Sequence, residues 1–385
     1  MQGYLQIIQI GLSIVPFIIL GCGSLFLLYS YHKFGSVSIK HSVIVVSFFV
    51  YIFMVYCFAV LPLPTMESVI ASTRATTQFE PFYFVWLFLE RTVFSWRDPT
   101  TYLAAMRTVY FYVPVLNILF LFPFGVYLRY NFERPLWQTI LFTFLFSLFL
   151  ELTQLSGLYG VYPKAYRVFD VDDLMMNTLG GVIGYAFTPL ITWWLPEKSE
   201  IFAGNYSRGG KVSYLRRGIA LLIDWGIIST FILTFSFFIF ALPLPNELLI
   251  VENSLGIIAY GIIVFCYFIL LPYLWRGKTC GKWIVQIAIV ENSGSDIKFS
   301  SLFFRQFLFY GIMFPTFMVM INFLQLGSDL QLLLQTGIYL LIPLLFIIVT
   351  IGFLANIIYT KWQGEPVLFY ERISQTRVVS LVDIK

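Results

Sequence analysis

Charge is what this sequence has least of. Asp, Glu, Lys and Arg together make up 11% of 385 residues, against roughly 25% in soluble domains. A water-soluble fold of this length would need a polar surface over one or two cores, and the residues for that surface are missing. Histidine is scarce too: His32 and His41 flank one loop. The four cysteines, Cys22, Cys57, Cys266 and Cys280, sit mostly in apolar runs and form no CxxC pair. A structural zinc site and a disulfide framework are therefore not expected. No basic stripe or long charged tail is present, which excludes a nucleic-acid partner, and the net charge of +4 is spread over short loops. The first residues, Met1 to Gln6, lack the basic start of a cleaved signal peptide, so the apolar run after them is expected to be a retained helix.

What is present is apolar: 59% of the residues are hydrophobic and 19% of the chain is aromatic, with a mean hydropathy of +0.83. A helix crosses a bilayer with about 20 apolar residues. Runs of that kind lie near 5–31, 42–63, 109–129, 136–156, 174–195, 217–243, 253–274, 301–322 and 331–356. The expected fold class is all-α, a polytopic transmembrane helical bundle of about nine spans in two modules. The stretch Trp283–Glu291 alternates like a strand, Asn292–Gly294 has turn chemistry, and Thr376–Val382 is a second strand-prone piece. They predict a small cytosolic β element beneath the second module.

Orientation follows from Lys and Arg in the connections. Loop 32–41, turn 130–135, linker 196–217, loop 275–300 and the tail all carry them. Connections 244–252 and 323–330 carry none, and in loop 157–173 Lys164 and Arg167 face three aspartates. Loop 64–108 is an exception, with Arg74, Arg91, Arg97 and Arg107 balanced by four acids. The pattern places the N-terminus outside and the C-terminus in the cytoplasm of a multi-pass cell-membrane protein, in keeping with an odd number of spans. A basic linker at 197–213 divides a first module, 1–196, from a second, 214–385. No repeat relates the two, so an inverted-repeat transporter gains no support.

Polar residues at membrane depth are expensive and mark function or obligatory pairing. Glu151 and Gln154 share a face of the fourth span, and Arg167, Asp170, Asp172, Asp173 and Asn177 follow closely. Asp173, Asn177, Gly180 and Gly184 recur at helical spacing, and Gly180–Gly184 is a small-xxx-small contact. Asn117, on a span broken by Pro123 and Gly125, is the expected neighbour of that face. One reading is an outward pocket for an envelope ligand or ion; the other is an ion-paired loop, Arg167 with Asp170 or Asp173, that fastens two helix ends. Asp-Val-Asp-Asp lacks EF-hand spacing, so no metal is assigned. In the second module Arg217 and Asp224 lie two turns apart, and Arg305 is the expected partner of Asp224. That set, with Lys282, is either an ion pathway or a buried pair that fixes register. Arg276-Gly-Lys-Thr-Cys-Gly-Lys282 has the wrong spacing for a phosphate loop. With this orientation both histidines lie opposite the acids, which excludes nucleophile-plus-base catalysis with histidine. A carboxylate-only lipid enzyme stays open, ranks below a binding role, and needs no cofactor.

These residues carry two resemblances. Glu80-Pro81-Phe82, Asn117 with Pro123 and Gly125, Glu151 with Gln154, and Arg167 through Gly184 resemble the VanZ-like family, although Gln78 stands where many relatives have Asn. Arg217, Ala220, Asp224, Gly277–Lys282 and Tyr370–Thr376 resemble the RDD family, with Glu371 in place of an expected Asp. The first resemblance implies an envelope protein, its founding member being associated with low-level resistance to teicoplanin. The second implies a mostly uncharacterised membrane module, with ion transport suggested for some members. The expected partners are membrane lipids and a cell-wall precursor or glycopeptide. Function at that level is family analogy.

Overall fold

Runs that are apolar on every side satisfy their backbone polar groups only within the helix, so in lipid they form helices rather than open sheets. The computed structural model describes residues 2–240, 260–294, 296–313, 337–364 and 367–382. Its long helices are α1 (Gln2–Phe34), α2 (Ile39–Val60), α3 (Val109–Tyr130), α4 (Leu136–Leu155), α5 (Val171–Thr192) and α6 (Tyr214–Phe240). They continue with α7 (Tyr260–Leu274), α8 (Phe299–Gln306, extended as a wider π-helix over Phe307–Met313) and α9 (Gly337–Trp362). Among the described residues, α1 to α6 are long and apolar enough to cross a membrane. The connections 244–252 and 323–330, and parts of the last three expected spans, lie outside the described residues. Large apolar side chains cover the helix surfaces, among them Phe17 at 73% exposure and Phe231 at 71%. Such surfaces require lipid. The protein is an all-α, multi-pass membrane helical bundle.

Contacts divide the chain into two compact units: residues 1–26 with 38–201, and residues 27–37 with 202–385. In the first, α3 and α5 pack at backbone distance, and Gly181 of α5 lies against the Thr143 side chain of α4. A Cβ on Gly180 would run into the Ile118 carbonyl, one on Gly184 into that of Phe122, and one on Gly125 into that of Gly181. Only residues without a side chain permit that approach. Helix α5 starts three residues before its expected span, because the Asp170 side chain accepts a hydrogen bond from the Asp172 backbone N–H at 2.8 Å and caps it. Strands β1 (Thr77–Gln78) and β2 (Phe169–Asp170) pair in parallel just ahead of that cap.

In the second unit β3 (Ile287–Glu291) pairs antiparallel with β4 (Thr376–Ser380), Ile287 opposite Ser380 and Glu291 opposite Thr376. The strand is shorter than the Trp283–Glu291 reading. Thr279 accepts from the Lys282 N–H at 3.3 Å and starts a helical turn over Cys280–Ile284, so extended structure begins after it. Arg216, 1% exposed, ties this sheet to the base of α6. Its guanidinium donates to the carbonyls of Gly209 (2.6 Å), Val285 (2.7 Å) and Gln286 (2.7 Å).

Candidate functional site

Helix α4 buries Thr139, Thr143, Ser147 and Glu151, four residues apart and so on one face. The hydroxyls of Thr139 and Thr143 bond back to the carbonyls one turn earlier, which leaves a narrow face against which α5 can sit. Asn177 of α5 donates to the Ser147 hydroxyl at 2.9 Å. Ser147 was not singled out in the sequence; its four-residue spacing to Glu151 is the signal that could have found it. Asn117 of α3 donates to the Asp173 carboxylate.

These helices enclose a cavity of about 350 Å³ lined by Asn117, Glu151, Gln154, Arg167, Asp173 and Asn177, with Phe58, Leu116 and Phe120 among its apolar walls. Among the described residues Arg167 forms no ion pair. Its guanidinium donates to the carbonyls of Ala59 (2.7 Å) and Leu61 (3.0 Å). Gln154 also donates to Ala59 O, at 2.9 Å. The end of α2 leaves its last carbonyls without helical partners, and a cation there is favoured by the helix dipole. In place of the ion-paired loop, one of the two readings of Arg167 with Asp170 or Asp173, the structure has a capped helix end.

Glu151 accepts from the Asp170 backbone N–H at 3.1 Å through Oε2. The Asn177 Oδ1 atom is buried and has no donor among the described residues. The cavity therefore presents more acceptor oxygens than donors. A wider crevice of about 920 Å³, lined also by Asp170, Lys164 and the segment Ser68–Thr76, shares Gln154, Arg167 and Asp173 with it. Burial pushes the Asp170 carboxyl above its usual range, its bond from Asp172 N–H notwithstanding. Asp172 lines neither space. Its carboxylate accepts from the backbone N–H groups of Phe82 (2.6 Å) and Phe84 (2.8 Å), and so pins the Glu80-Pro81-Phe82 turn, where Phe82 is left-handed with φ 63°.

In the second unit the structure reassigns the acid–base partners. Asp224 does not pair with Arg305 or Arg217. Its carboxylate accepts from Tyr267 OH (2.8 Å), Thr279 Oγ1 (2.6 Å) and the Gly281 N–H (2.7 Å). Gly281 is needed there, since a Cβ would meet the Ala220 carbonyl and the Asp224 carboxylate. The partner of both arginines is Glu371, fully buried in the turn Phe369–Ile373. Arg305 reaches it at 2.7 Å and Arg217 at 2.9 Å, and the Leu368 N–H adds a bond at 3.0 Å. Burial alone would raise the Glu371 carboxyl, but the charges of Arg305 and Arg217 outweigh it and hold the group below its usual value. A cavity of about 230 Å³ is lined by Arg217, Asp224, Lys282 and Arg305, with Phe309, Phe353 and Leu368 among its apolar walls. Burial lowers the Lys282 ammonium to about 8; Asp224 acts the other way, and Arg305 adds to the lowering.

Residues 48–192 match the VanZ/LLP1 family and residues 211–357 match the RDD family. The uncharacterized protein YckC of Bacillus subtilis is similar over 92 residues at 34% identity, a stretch that covers 24% of this chain and 54% of YckC. The chain therefore spans about half the length of that relative. No solved structure matches. The glycine-packed helices around Asn117, Glu151 and Asp173 lie in the first of these matches, and Arg217, Asp224, Lys282 and Arg305 in the second. The protein is a membrane protein in which a VanZ-like module is followed by an RDD-family module.

Proposed function

We propose that the first module is a receptor for the polar headgroup of an envelope lipid, with lipid-linked cell-wall material as its ligand class. The observation that carries this is the excess of acceptors in the Asn117–Glu151–Asp173–Asn177 cavity. Carboxylate and amide oxygens at a site with apolar walls suit a headgroup rich in hydroxyl or amine donors and joined to an acyl or prenyl chain. The adjoining crevice has room for further sugar units. The loop ahead of it exposes Phe79, Phe82, Trp86 and Trp96, the aromatic composition of a membrane interface. On this reading the crevice faces outside and the C-terminus the cytoplasm, and occupancy alters how a glycopeptide such as teicoplanin reaches its target.

The test is native mass spectrometry of the purified protein with an undecaprenyl-linked sugar precursor, against phosphatidylcholine as control. The wild type retains the precursor, and Glu151→Gln and Asn177→Leu lose it while still folding. Equal retention by all three proteins sinks the reading. Ion or proton transport through Asp224 is the alternative from the second module. Against it stand the three hydrogen bonds that Asp224 accepts, which suit a group that fixes architecture; what flux assays in proteoliposomes show for Asp224→Asn decides between them.

A further inference from the structure

The cavity of the second unit has its acceptors spent and its donors left over. Both Glu371 oxygens are occupied, Oε1 by Arg217 (3.0 Å) and Arg305 (2.7 Å), Oε2 by Arg217 (2.9 Å) and Leu368 N–H (3.0 Å). Asp224 is occupied by the three donors named above. Lys282 Nζ, in contrast, has one long hydrogen bond among the described residues, 3.4 Å to a Thr279 hydroxyl that itself donates to Asp224. Among the described residues the Arg217 Nε–H is buried without an acceptor. Three cations thus line the space with one carboxylate, Asp224, while Glu371 pairs with both arginines. Buried donors and an unbalanced cation are costly unless an anion meets them.

We propose that this cavity binds a single oxyanion, a phosphate or carboxylate group, through Lys282 Nζ and Arg217 Nε. At about 230 Å³ the space falls below the roughly 300 Å³ at which drug-sized pockets begin, so it holds the anionic group and not a nucleotide or a whole lipid. Phe309, Phe353, Ile357 and Leu368 line the same space, which suits the acyl chains beside an anionic headgroup as well as it suits a free anion with no chain. A bound anion would also offset the burial that lowers the Lys282 ammonium. The site shares no lining residue with the acceptor-rich cavity of the first module and has the opposite ligand preference.

The test uses the full chain in detergent. Inorganic phosphate is offered by equilibrium dialysis, and dioleoyl-phosphatidylglycerol against dioleoyl-phosphatidylcholine by native mass spectrometry. The wild type binds one equivalent of phosphate, of phosphatidylglycerol, or of each. Binding of phosphate alone identifies a soluble oxyanion, and binding of phosphatidylglycerol alone a lipid headgroup. Lys282→Gln weakens the binding at least about tenfold, or about 1.4 kcal/mol, whereas Lys298→Gln, on an exposed side chain, leaves it unchanged. Should Lys282→Gln fold poorly, Gly218→Glu takes its place. Gly218 lines the cavity, and a Cβ there meets nothing within 4 Å, so the added carboxylate occupies the anion's space and abolishes binding while Gly218→Ala retains it. Wild-type protein that binds neither probe above control, or a folded Gly218→Glu protein that binds like wild type, overturns the proposal.

Discussion

Replacing Glu371 by Gln removes one negative charge and leaves the two guanidinium groups of Arg217 and Arg305 where they are. Their side chains are 14% and 6% exposed, so water reaches them poorly. Breaking a buried pair by removal of one partner costs about 3–5 kcal/mol, and here two cations lose the same partner. The Gln amide still offers one oxygen, to which one arginine can donate, so the lower half of that range is expected. Against a typical total of about 5–15 kcal/mol, this loss is a large fraction. At roughly 2–4 °C per kcal/mol for a unit of this size, the melting temperature falls by about 6–16 °C. Size-exclusion chromatography of heated, detergent-solubilised protein reads that change. The pH dependence carries the same sign. Because the folded carboxyl is held low, its stabilisation is complete above the unfolded value of about 4.3. It is lost as pH falls through the folded value. Acid should destabilise the wild type and have less effect on Glu371→Gln. Melting of Glu371→Gln within 2 °C of the wild type at pH 7, a window of about 0.5–1 kcal/mol, would refute the reasoning.

Four further outcomes follow from the same geometry. Gly180→Leu drives a side chain into the Ile118 carbonyl; overpacking of this kind costs about 1–3 kcal/mol or more, and the folded fraction on chromatography should fall. Asp172→Asn replaces one of two acceptors for the Phe82 and Phe84 N–H groups, a loss of about 1–3 kcal/mol, seen as faster proteolysis within residues 79–91. Asp224→Asn removes one acceptor from the Tyr267, Thr279 and Gly281 donors; the melting temperature should drop by less than for Glu371→Gln, since among the described residues Asp224 forms no direct ion pair, whereas Glu371 holds two. Cysteine placed at the exposed Val161 should label in intact cells, and cysteine at the exposed Ser293 only after lysis; the reverse pattern overturns the topology.

Helix identity and membrane residence were legible in the residues because both are local and compositional: an apolar run of span length has no other way to satisfy its backbone in lipid. The meeting of Asn117, Glu151, Gln154, Arg167, Asp173 and Asn177 around one cavity was also legible in outline, since polar groups at membrane depth must find one another. The partners within that group were not. One of the two readings of Arg167 makes it half of an ion pair, and it caps the carbonyls at the end of α2 instead; helix-end carbonyls are invisible to a count of charges. Likewise Asp224 was given a cation, whereas Arg217 and Arg305 both turn to Glu371, which returns to them more than sixty residues after Arg305. Composition and period determined which residues are too costly to leave alone. Only the tertiary structure decided which pairs with which, because a hydrogen bond depends on distances of about 3 Å that sequence separation does not encode.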